Sequence, residues 1–249
     1  MVGKVQVTST PFYDPNQKYG AVVSFSGGMD SATLLMYAAR LFTPKGILAV
    51  GFTYGSKHNV HEARAASEFA ERLGVSHRVI DLSAAFALTK SDLLKSGGVV
   101  PEGHYEEESM RATVVPGRNL IFASILAGIA ESVGAGQVLL GVHAGDHHIY
   151  PDCRADFIAA LRQSVHLSSG GKIRVEAPWQ TKDKAGILVA GYRMDAAFPY
   201  RLTRTCYKDQ EIACGKCGSC QERLEAFQII GKEDPLEYES REILPKKAA

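Results

Sequence analysis

The sequence predicts a doubly wound α/β fold: a parallel five-stranded sheet covered by helices on both faces, followed by a small cysteine-rich C-terminal segment. Three observations carry this. Five short apolar runs alternate with longer segments of helical period, the first run breaks directly into Gly27-Gly28, and Cys206, Cys214, Cys217 and Cys220 crowd together near the C-terminus. Parallel strands need long crossover connections, and in an alternation of this kind the crossovers are helices with right-handed sense.

In chain order the β-like runs are AVVSF at 21–25, ILAVGFTY at 47–54, HRVIDL at 77–82, QVLLGV at 137–142 and IRVEAP at 173–178. Helical period fills 31–42, 58–74, a stretch after 82 reaching about Lys95, then 118–134, 156–167 and the segment from Gln221. In 156–167, Phe157, Ile158, Leu161 and Val165 form one apolar stripe that should face the sheet. The segment from Ser96 to Gly117 has little periodicity and holds two prolines and four glycines. A loop of that length inside a compact domain is usually functional, so a lid or site loop is expected there.

At 249 residues the chain suits one large domain with an appendage, divided as residues 1–200 and 201–249. With 45% hydrophobic and 22% charged residues it lies in the globular range, which excludes global disorder. Lys plus Arg is 28 and Asp plus Glu is 27, so the net charge of +1 leaves no basic footprint for direct nucleic-acid binding. The longest apolar run, 120–130, stops at Glu131, short of the roughly 18 residues a membrane span needs. The polar residues 1–20 lack the apolar core of a secretory signal. A cytoplasmic location without a membrane partner is therefore expected. The residues after Lys232, ending in Lys-Lys-Ala-Ala, are expected to be loosely held.

The first strand ends in Ser26, Gly27, Gly28, Met29, Asp30 and Ser31, just before a helix. Two glycines let the chain turn tightly and converge several amide N–H groups, and the helix N-terminus adds partial positive charge, so the string reads as a pyrophosphate cradle. The plainer alternative is a strand-to-helix turn capped by Asp30 or Ser31. Position favours the cradle, since ligands of open α/β sheets bind beyond the carboxyl ends of the strands. The loop lacks the Gly-Lys-Ser/Thr ending of a Walker A loop and the third glycine of a dinucleotide fingerprint.

The string resembles the SGGxDS loop of the ATP-pyrophosphatase superfamily, whose fold is of the adenine nucleotide α-hydrolase type. Its members cleave ATP between the α and β phosphates and transfer AMP to an oxygen. The resemblance implies that Phe25, Ser26, Gly27, Gly28, Met29, Asp30, Ser31, Ala32, Thr33, Leu34 and Leu35 hold ATP, with Asp30 and Ser31 catalytic. It also implies that the adenine lies near Phe52 to Tyr54.

The cysteines give C-x7-C-x2-C-x2-C. Cys-x2-Cys steps let a short knuckle offer two thiolates to one tetrahedral metal, and four thiolates leave no open position for water. A structural Zn²⁺ is the favoured occupant; an iron–sulfur cluster uses the same ligands, and buried free thiols are the third reading.

Loop and cysteines together resemble the 7-cyano-7-deazaguanine synthase family. The similarity continues through YGSKH at 54–58, GHYEEESM at 103–110, VVPGRN at 114–119, HAGDHHIYPDCR at 143–154 and TCY at 205–207, and it spans about Ala21 to Phe227. The chain departs from many members in its Asp146-His147-His148-Ile149 segment and in having Arg204 where a tryptophan is frequent.

The resemblance implies an ATP-dependent ligase that makes the nitrile from 7-carboxy-7-deazaguanine and ammonia, with Mg²⁺, a structural zinc and a homodimer. Offsetting the charge of triphosphate and carboxylate needs cations, for which Arg118, Arg154 and Lys182 are the candidates, Arg118 and Lys182 also as catalytic residues. Asp146 and Asp152 are candidates for Mg²⁺ or for the aminopyrimidine edge of the substrate. Cys153 is expected to pack or touch substrate without covalent chemistry, and His143, His147 and His148 to be hydrogen-bonding loop histidines. The rival readings are a related enzyme that stops at the amide or transfers the acyl group, a tRNA thiolase with the same loop, and a nucleotide-binding module without turnover.

Overall fold

The computed structural model describes residues 12–245, so the first eleven residues of the polar N-terminal stretch and the final Lys-Lys-Ala-Ala lie outside the described residues. All five β-like runs form strands: β1 (Ala21–Ser24), β2 (Ile47–Thr53), β3 (Ser76–Asp81), β4 (Gln137–Leu139) and β5 (Arg174–Glu176). They make one parallel sheet in the order β3-β2-β1-β4-β5, with Ala21 in register with Ile47 on one side and Gln137 on the other. The order reverses at β1, and it is there that the glycine loop leaves the sheet.

Strand alternation divides the apolar residues between two cores. Ala21, Val23, Ile47, Ala49 and Leu139 point to one face, where they meet α1 (Met29–Phe42), α2 (Asn59–Leu73) and α6 (Lys184–Met194). Val22, Leu48, Val50, Val138 and Val175 point to the other, covered by α4 (Arg118–Val133) and α5 (Ala155–Ser168). The predicted stripe on α5 faces the sheet: Ile158, Leu161 and Val165 are buried, and Phe157 packs at the edge.

The helix expected up to Lys95 is corrected to one turn, α3 (Ser83–Phe86). Beyond it the backbone turns back toward β2, with Ser56 bridged to Leu94. The Lys57 ammonium donates to the carbonyls of Asp92 (2.6 Å), Leu94 (2.6 Å) and Gly98 (2.9 Å), satisfying groups that a helix would have satisfied internally. Phe86, Leu93 and Leu94 bury themselves in a satellite cluster with Tyr54 and Val115, so apolar spacing imitated a helix that tertiary contacts replaced.

The helical residues Glu108–Val133 are long and apolar enough, by composition, to cross a membrane. They consist of the turn Glu108–Thr113 and α4, separated at Pro116-Gly117, and α4 packs on the sheet through Ala123, Leu126 and Ala130. Its 16 residues reach about 24 Å, less than a bilayer core of roughly 30 Å.

The segment after Ser96 docks against the cysteine knuckle. Gly103 N–H donates to the Lys216 carbonyl (3.0 Å), Glu102 bridges Cys217, and a Cβ on Gly218 would lie 2.8 Å from the Met110 sulfur. The last helix, α7 (Gly218–Ile229), adds Ala226 and Phe227 to the first core. Its Arg223 is fully buried and fully bonded: Nε and Nη2 hold the Asp234 carboxylate at 2.6 and 2.9 Å, and Nη1 meets the Thr203 and Thr205 hydroxyls.

Candidate active site

A cavity of about 210 Å³ opens at the carboxyl ends of β1, β2 and β4. Its floor is the glycine loop. Gly27 has φ +87°, and a Cβ there would sit 2.6 Å from Ala66 N and 2.7 Å from the Glu62 carbonyl, so the loop is pressed directly onto the first turns of α2. Ser26 and Ser31 tie the loop to itself: the hydroxyls lie 3.1 Å apart, Ser26 N–H donates to Ser31 Oγ (3.3 Å), and Gly28 N–H donates to Ser26 Oγ (3.2 Å).

The capping reading of Asp30 and Ser31 is corrected here. The N-cap is Gly28, without a side-chain cap. Ser31 Oγ instead donates to the Gly28 carbonyl (3.0 Å), and Asp30 turns into the cavity toward Lys184 Nζ (3.3 Å) and His143 Nε2 (3.7 Å). Of the residues assigned to the nucleotide, Phe25, Ser26, Gly28, Met29, Asp30, Ser31 and Tyr54 line the cavity. Ala32, Leu34 and Leu35 pack inside the core, and Thr33 bonds the Met29 carbonyl and the Tyr200 hydroxyl.

Lys184 is the centre of one wall. Its ammonium lies 2.6 Å from Glu222 of α7 as well as 3.3 Å from Asp30, and it is buried. Burial opposes its charge, but Asp30 and Glu222 outweigh burial and raise its pKa above the ordinary value. Burial likewise pushes Asp30 upward, yet Lys184 and His143 hold it below the usual carboxylate range. His143 completes the wall, 3.4 Å from Asp146; burial opposes its protonation, and Asp146, Asp30 and Glu222 raise its pKa. His143, Asp146 and Glu222 bring ligand atoms within 4.8 Å of one another.

The opposite wall is aromatic and basic. Tyr54, His58, Glu62, Arg118, Arg204 and Tyr207 face the cavity there. Arg118 Nη1 donates to the Tyr54 hydroxyl (3.4 Å) and its guanidinium lies over the Tyr150 ring. Burial pushes the Glu62 carboxyl up to about 8, and burial pushes the His58 imidazole down to about 3. The two approach to 3.4 Å as a neutral pair near pH 7.

The remaining sequence-derived candidates fall unevenly. Asp146 and Arg118 line the cavity, while Lys182 is exposed and outside it, contributing only its carbonyl to Ala144 N–H (2.8 Å). Lys184 takes the position expected of Lys182, because Asp183 caps α6, accepting from Gly186 N–H (2.7 Å), and the first helical residue turns inward. Arg154 is exposed and donates to the His147 carbonyl; Asp152 accepts from Asn119 N–H (2.9 Å), anchoring the start of α4. Cys153 is buried, accepts from Asn119 Nδ2 (3.3 Å), and has its thiol pKa raised by burial and by Asp146 and Asp152. Lys184, Glu222, Glu62 and His58 were not singled out from the sequence.

The four clustered cysteines are buried, with sulfurs within 4.8 Å of one another and Cys214 and Cys220 4.0 Å apart. Tetrahedral zinc with Zn–S bonds of roughly 2.3 Å requires sulfurs about 3.8 Å apart, so the set fits that metal. Backbone N–H groups of Lys208 and Cys214 point at Cys206 Sγ, and those of Lys216 and Cys217 at Cys214 Sγ, as suits thiolate ligands.

Fold, glycine loop and carboxyl-edge cavity define a nucleotide-binding α/β enzyme of the ATP-pyrophosphatase type. The family model described as "Queuosine biosynthesis protein QueC" matches residues 20–231, and the chain belongs to that family. Curated relatives named 7-cyano-7-deazaguanine synthase are 43% identical over 220 residues in Marinomonas sp. and 46% identical over 218 residues in Pseudoalteromonas atlantica. Each alignment covers 88% of this chain and 98% of the relative. Among solved structures, the U34-tRNA thiolase NcsA from Methanococcus maripaludis aligns over 88% of this chain and 68% of its own, with a TM-score of 0.48 and 14% identity, too distant to inform the site.

Two outcomes follow from this geometry. Lys184→Met leaves Asp30 and Glu222 without their shared cation and should cost about 3–5 kcal/mol in urea unfolding, whereas Lys182→Met should stay within about 0.5 kcal/mol. Equal losses would remove Lys184 from its place as the buried cation.

The His58–Glu62 pair sets a pH profile. Between about 4.5 and 6.5 the unfolded chain carries one proton on His58 and the folded chain one on Glu62, so the pair contributes no slope. Above 6.5 the unfolded chain loses its proton while the folded chain keeps one to about 8, and stability falls as pH rises. Below 4.5 the unfolded chain takes a second proton that the folded chain accepts only near 3, and stability falls as pH drops. Each flank amounts to on the order of 2 kcal/mol. Urea midpoints from pH 3 to 9 should show both flanks flattened in His58→Asn/Glu62→Gln; parallel profiles would refute the neutral pair.

Proposed function

We propose that this chain converts 7-carboxy-7-deazaguanine and ammonia to 7-cyano-7-deazaguanine, cleaving ATP to AMP and pyrophosphate. The observation that carries the reading is the glycine loop facing a half-open cavity with Lys184 on one wall and Arg118 on the other, in a chain of this family. Residues 1–200 supply the nucleotide half of the enzyme and residues 201–249 the metal-bearing half. The homodimer and the cytoplasmic location implied by the resemblance go with this reading.

The chemical task is to make a carboxylate electrophilic. A carboxylate oxygen attacks the α phosphorus and pyrophosphate leaves; ammonia then attacks the carbonyl carbon, a proton is lost and AMP departs, giving the amide. In a second round the amide oxygen attacks the α phosphorus of another ATP and pyrophosphate leaves again; one N–H proton is lost to give the adenylated imidate, and departure of AMP, carrying the amide oxygen, with loss of the second N–H proton closes the nitrile.

Ser26, Gly27 and Gly28 cradle the pyrophosphate, and Lys184 offsets its charge from a fixed position at no reorganisation cost. Arg118, held by Tyr54 and Tyr150, would bind the substrate carboxylate. Asp30 Oδ1 is buried without a hydrogen-bond partner and Asp146 offers a second carboxylate, hard oxygen donors that suit Mg²⁺. Mg²⁺ when bound would supply charge neutralisation to the triphosphate. Cys153, kept as a thiol, packs against substrate. Cys206, Cys214, Cys217 and Cys220 would hold a structural zinc that fixes the start of α7, and with it Glu222.

Purified protein given ATP, Mg²⁺, the carboxylate and ¹⁵N-ammonium should yield a nitrile carrying one labelled nitrogen, with a labelled amide on the way. A product that stays at the amide, or turnover that requires another amine, replaces this reading with a related acyl-transferring enzyme. Cys217→Ser should lower zinc content and melting temperature together; full zinc occupancy with an unchanged transition would reject the structural metal.

A further inference from the structure

Four carboxylates face the cavity: Asp30, Glu62, Asp146 and Glu222. Three belong to the cluster around Lys184 and His143, at 3.3 Å for Asp30 and 2.6 Å for Glu222 to the ammonium, and 3.4 Å for Asp146 to the imidazole. Glu62 stands apart from them. It projects from the first turn of α2, its side chain is 16% exposed, and its only ion-pair contact among the described residues is to His58, which burial keeps uncharged. Around it the wall is flat and aromatic: the His58 and Tyr207 ring centroids lie 5.4 Å apart, the Tyr54 hydroxyl is 3.3 Å from His58 Nε2, and Arg118 lies against Tyr54.

A planar heterocycle with two adjacent N–H donors on one edge and an anionic group elsewhere matches such a wall. Ring faces meet the aromatic side chains, the anion needs a cation, and the two donors need an ionised carboxylate, the form of Glu62 that Arg118 already favours and that N–H groups donated to both its oxygens would stabilise on binding. The guanine-type edge, with its ring N–H and 2-amino group, is such a donor pair, and Arg118 is the cation within the same wall.

Resting on the functional reading above, we infer that Glu62 is the specificity residue that reads the aminopyrimidinone edge of the deazaguanine. This moves that role away from Asp146 and Asp152. The placement also fixes distance. The Glu62 carbonyl lies 2.7 Å from where a Gly27 Cβ would be, so the first turn of α2 and the phosphate loop form one rigid contact. A base edge held by Glu62 is therefore held at a set distance from the pyrophosphate cradle, as in-line attack on the α phosphorus requires.

The test measures pyrophosphate release by wild type, Glu62→Gln and Glu62→Asp with the carboxylated deazaguanine and with its analogue lacking the 2-amino group. A site built to bond a donor rejects an analogue without it strongly. Wild type should favour the amino substrate by on the order of 100-fold in kcat/KM or more. Glu62→Gln, which offers one acceptor and a misplaced donor, should raise KM for the natural substrate on the order of 100-fold and shrink the preference to within roughly tenfold, with KM for ATP unchanged. Glu62→Asp, retaining a carboxylate, should keep the preference at reduced affinity. An undiminished preference in Glu62→Gln, or a fall in kcat at constant KM, overturns the assignment while leaving the reaction in place. A wild type that releases no pyrophosphate with the carboxylate overturns the functional reading, and this assignment with it.

Discussion

The buried Lys184 ammonium holds the site together. It touches Asp30 from the start of α1 and Glu222 from α7, so three elements separated by most of the chain meet at one charge. A cation without water is tolerable only when its partners are well placed, and two carboxylates within 3.3 Å meet that demand. The constraint then propagates. Glu222 must sit where α7 puts it, and α7 begins between Cys217 and Cys220 of the knuckle and continues into the Arg223–Asp234 pair. The cysteine segment is thereby part of the architecture of the cavity, although none of its four clustered cysteines lines it.

Charge across the cavity is arranged in two unlike fields. The wall of Asp30, Asp146, Glu222, His143 and Lys184 mixes signs and lies beside the glycine loop. The facing wall carries Arg118 among tyrosines, with burial holding Glu62 protonated near neutrality. An overall charge of +1 conceals this separation entirely. Low dielectric strengthens both fields, which is why the sheet's carboxyl edge, closed by α4 and the segment before it, suits charge-transfer chemistry.

What the sequence made legible follows from what is local. β-like runs and the Gly27-Gly28 turn are encoded over a few residues, and the cysteine spacing requires only a knuckle, so the sheet, the glycine turn and the cysteine cluster were all readable. The failures are tertiary. Phe86, Leu93 and Leu94 have a helix-like spacing, yet the carbonyls of their segment are satisfied by Lys57 from another loop. Lys184 was missed for Lys182 because α6 was not read, and its signal was present: Asp183 precedes the apolar run with Gly186 three residues on, a capping pattern that sets Lys184 as the first helical residue. Glu62 and Glu222 carried no such signal, being ordinary acids on helices whose facing partners lie far away in sequence.

Arg204 shows how a departure from a family pattern can be absorbed by the same scaffold. Its N–H donates to the Gly27 carbonyl at 2.9 Å, a backbone bond that any residue but proline could make, so the cysteine segment grips the glycine loop independently of side chain. The guanidinium turns the other way, to the carbonyls of Lys208, Gln210 and Glu211 at 3.2, 2.6 and 2.7 Å, and stiffens the turn between Cys206 and Cys214. A tryptophan has one donor and could meet only one of those carbonyls. The arginine therefore adds internal hydrogen bonding to the knuckle while its backbone keeps the contact with the glycine loop, so the anchorage of the loop does not depend on the side chain at this position.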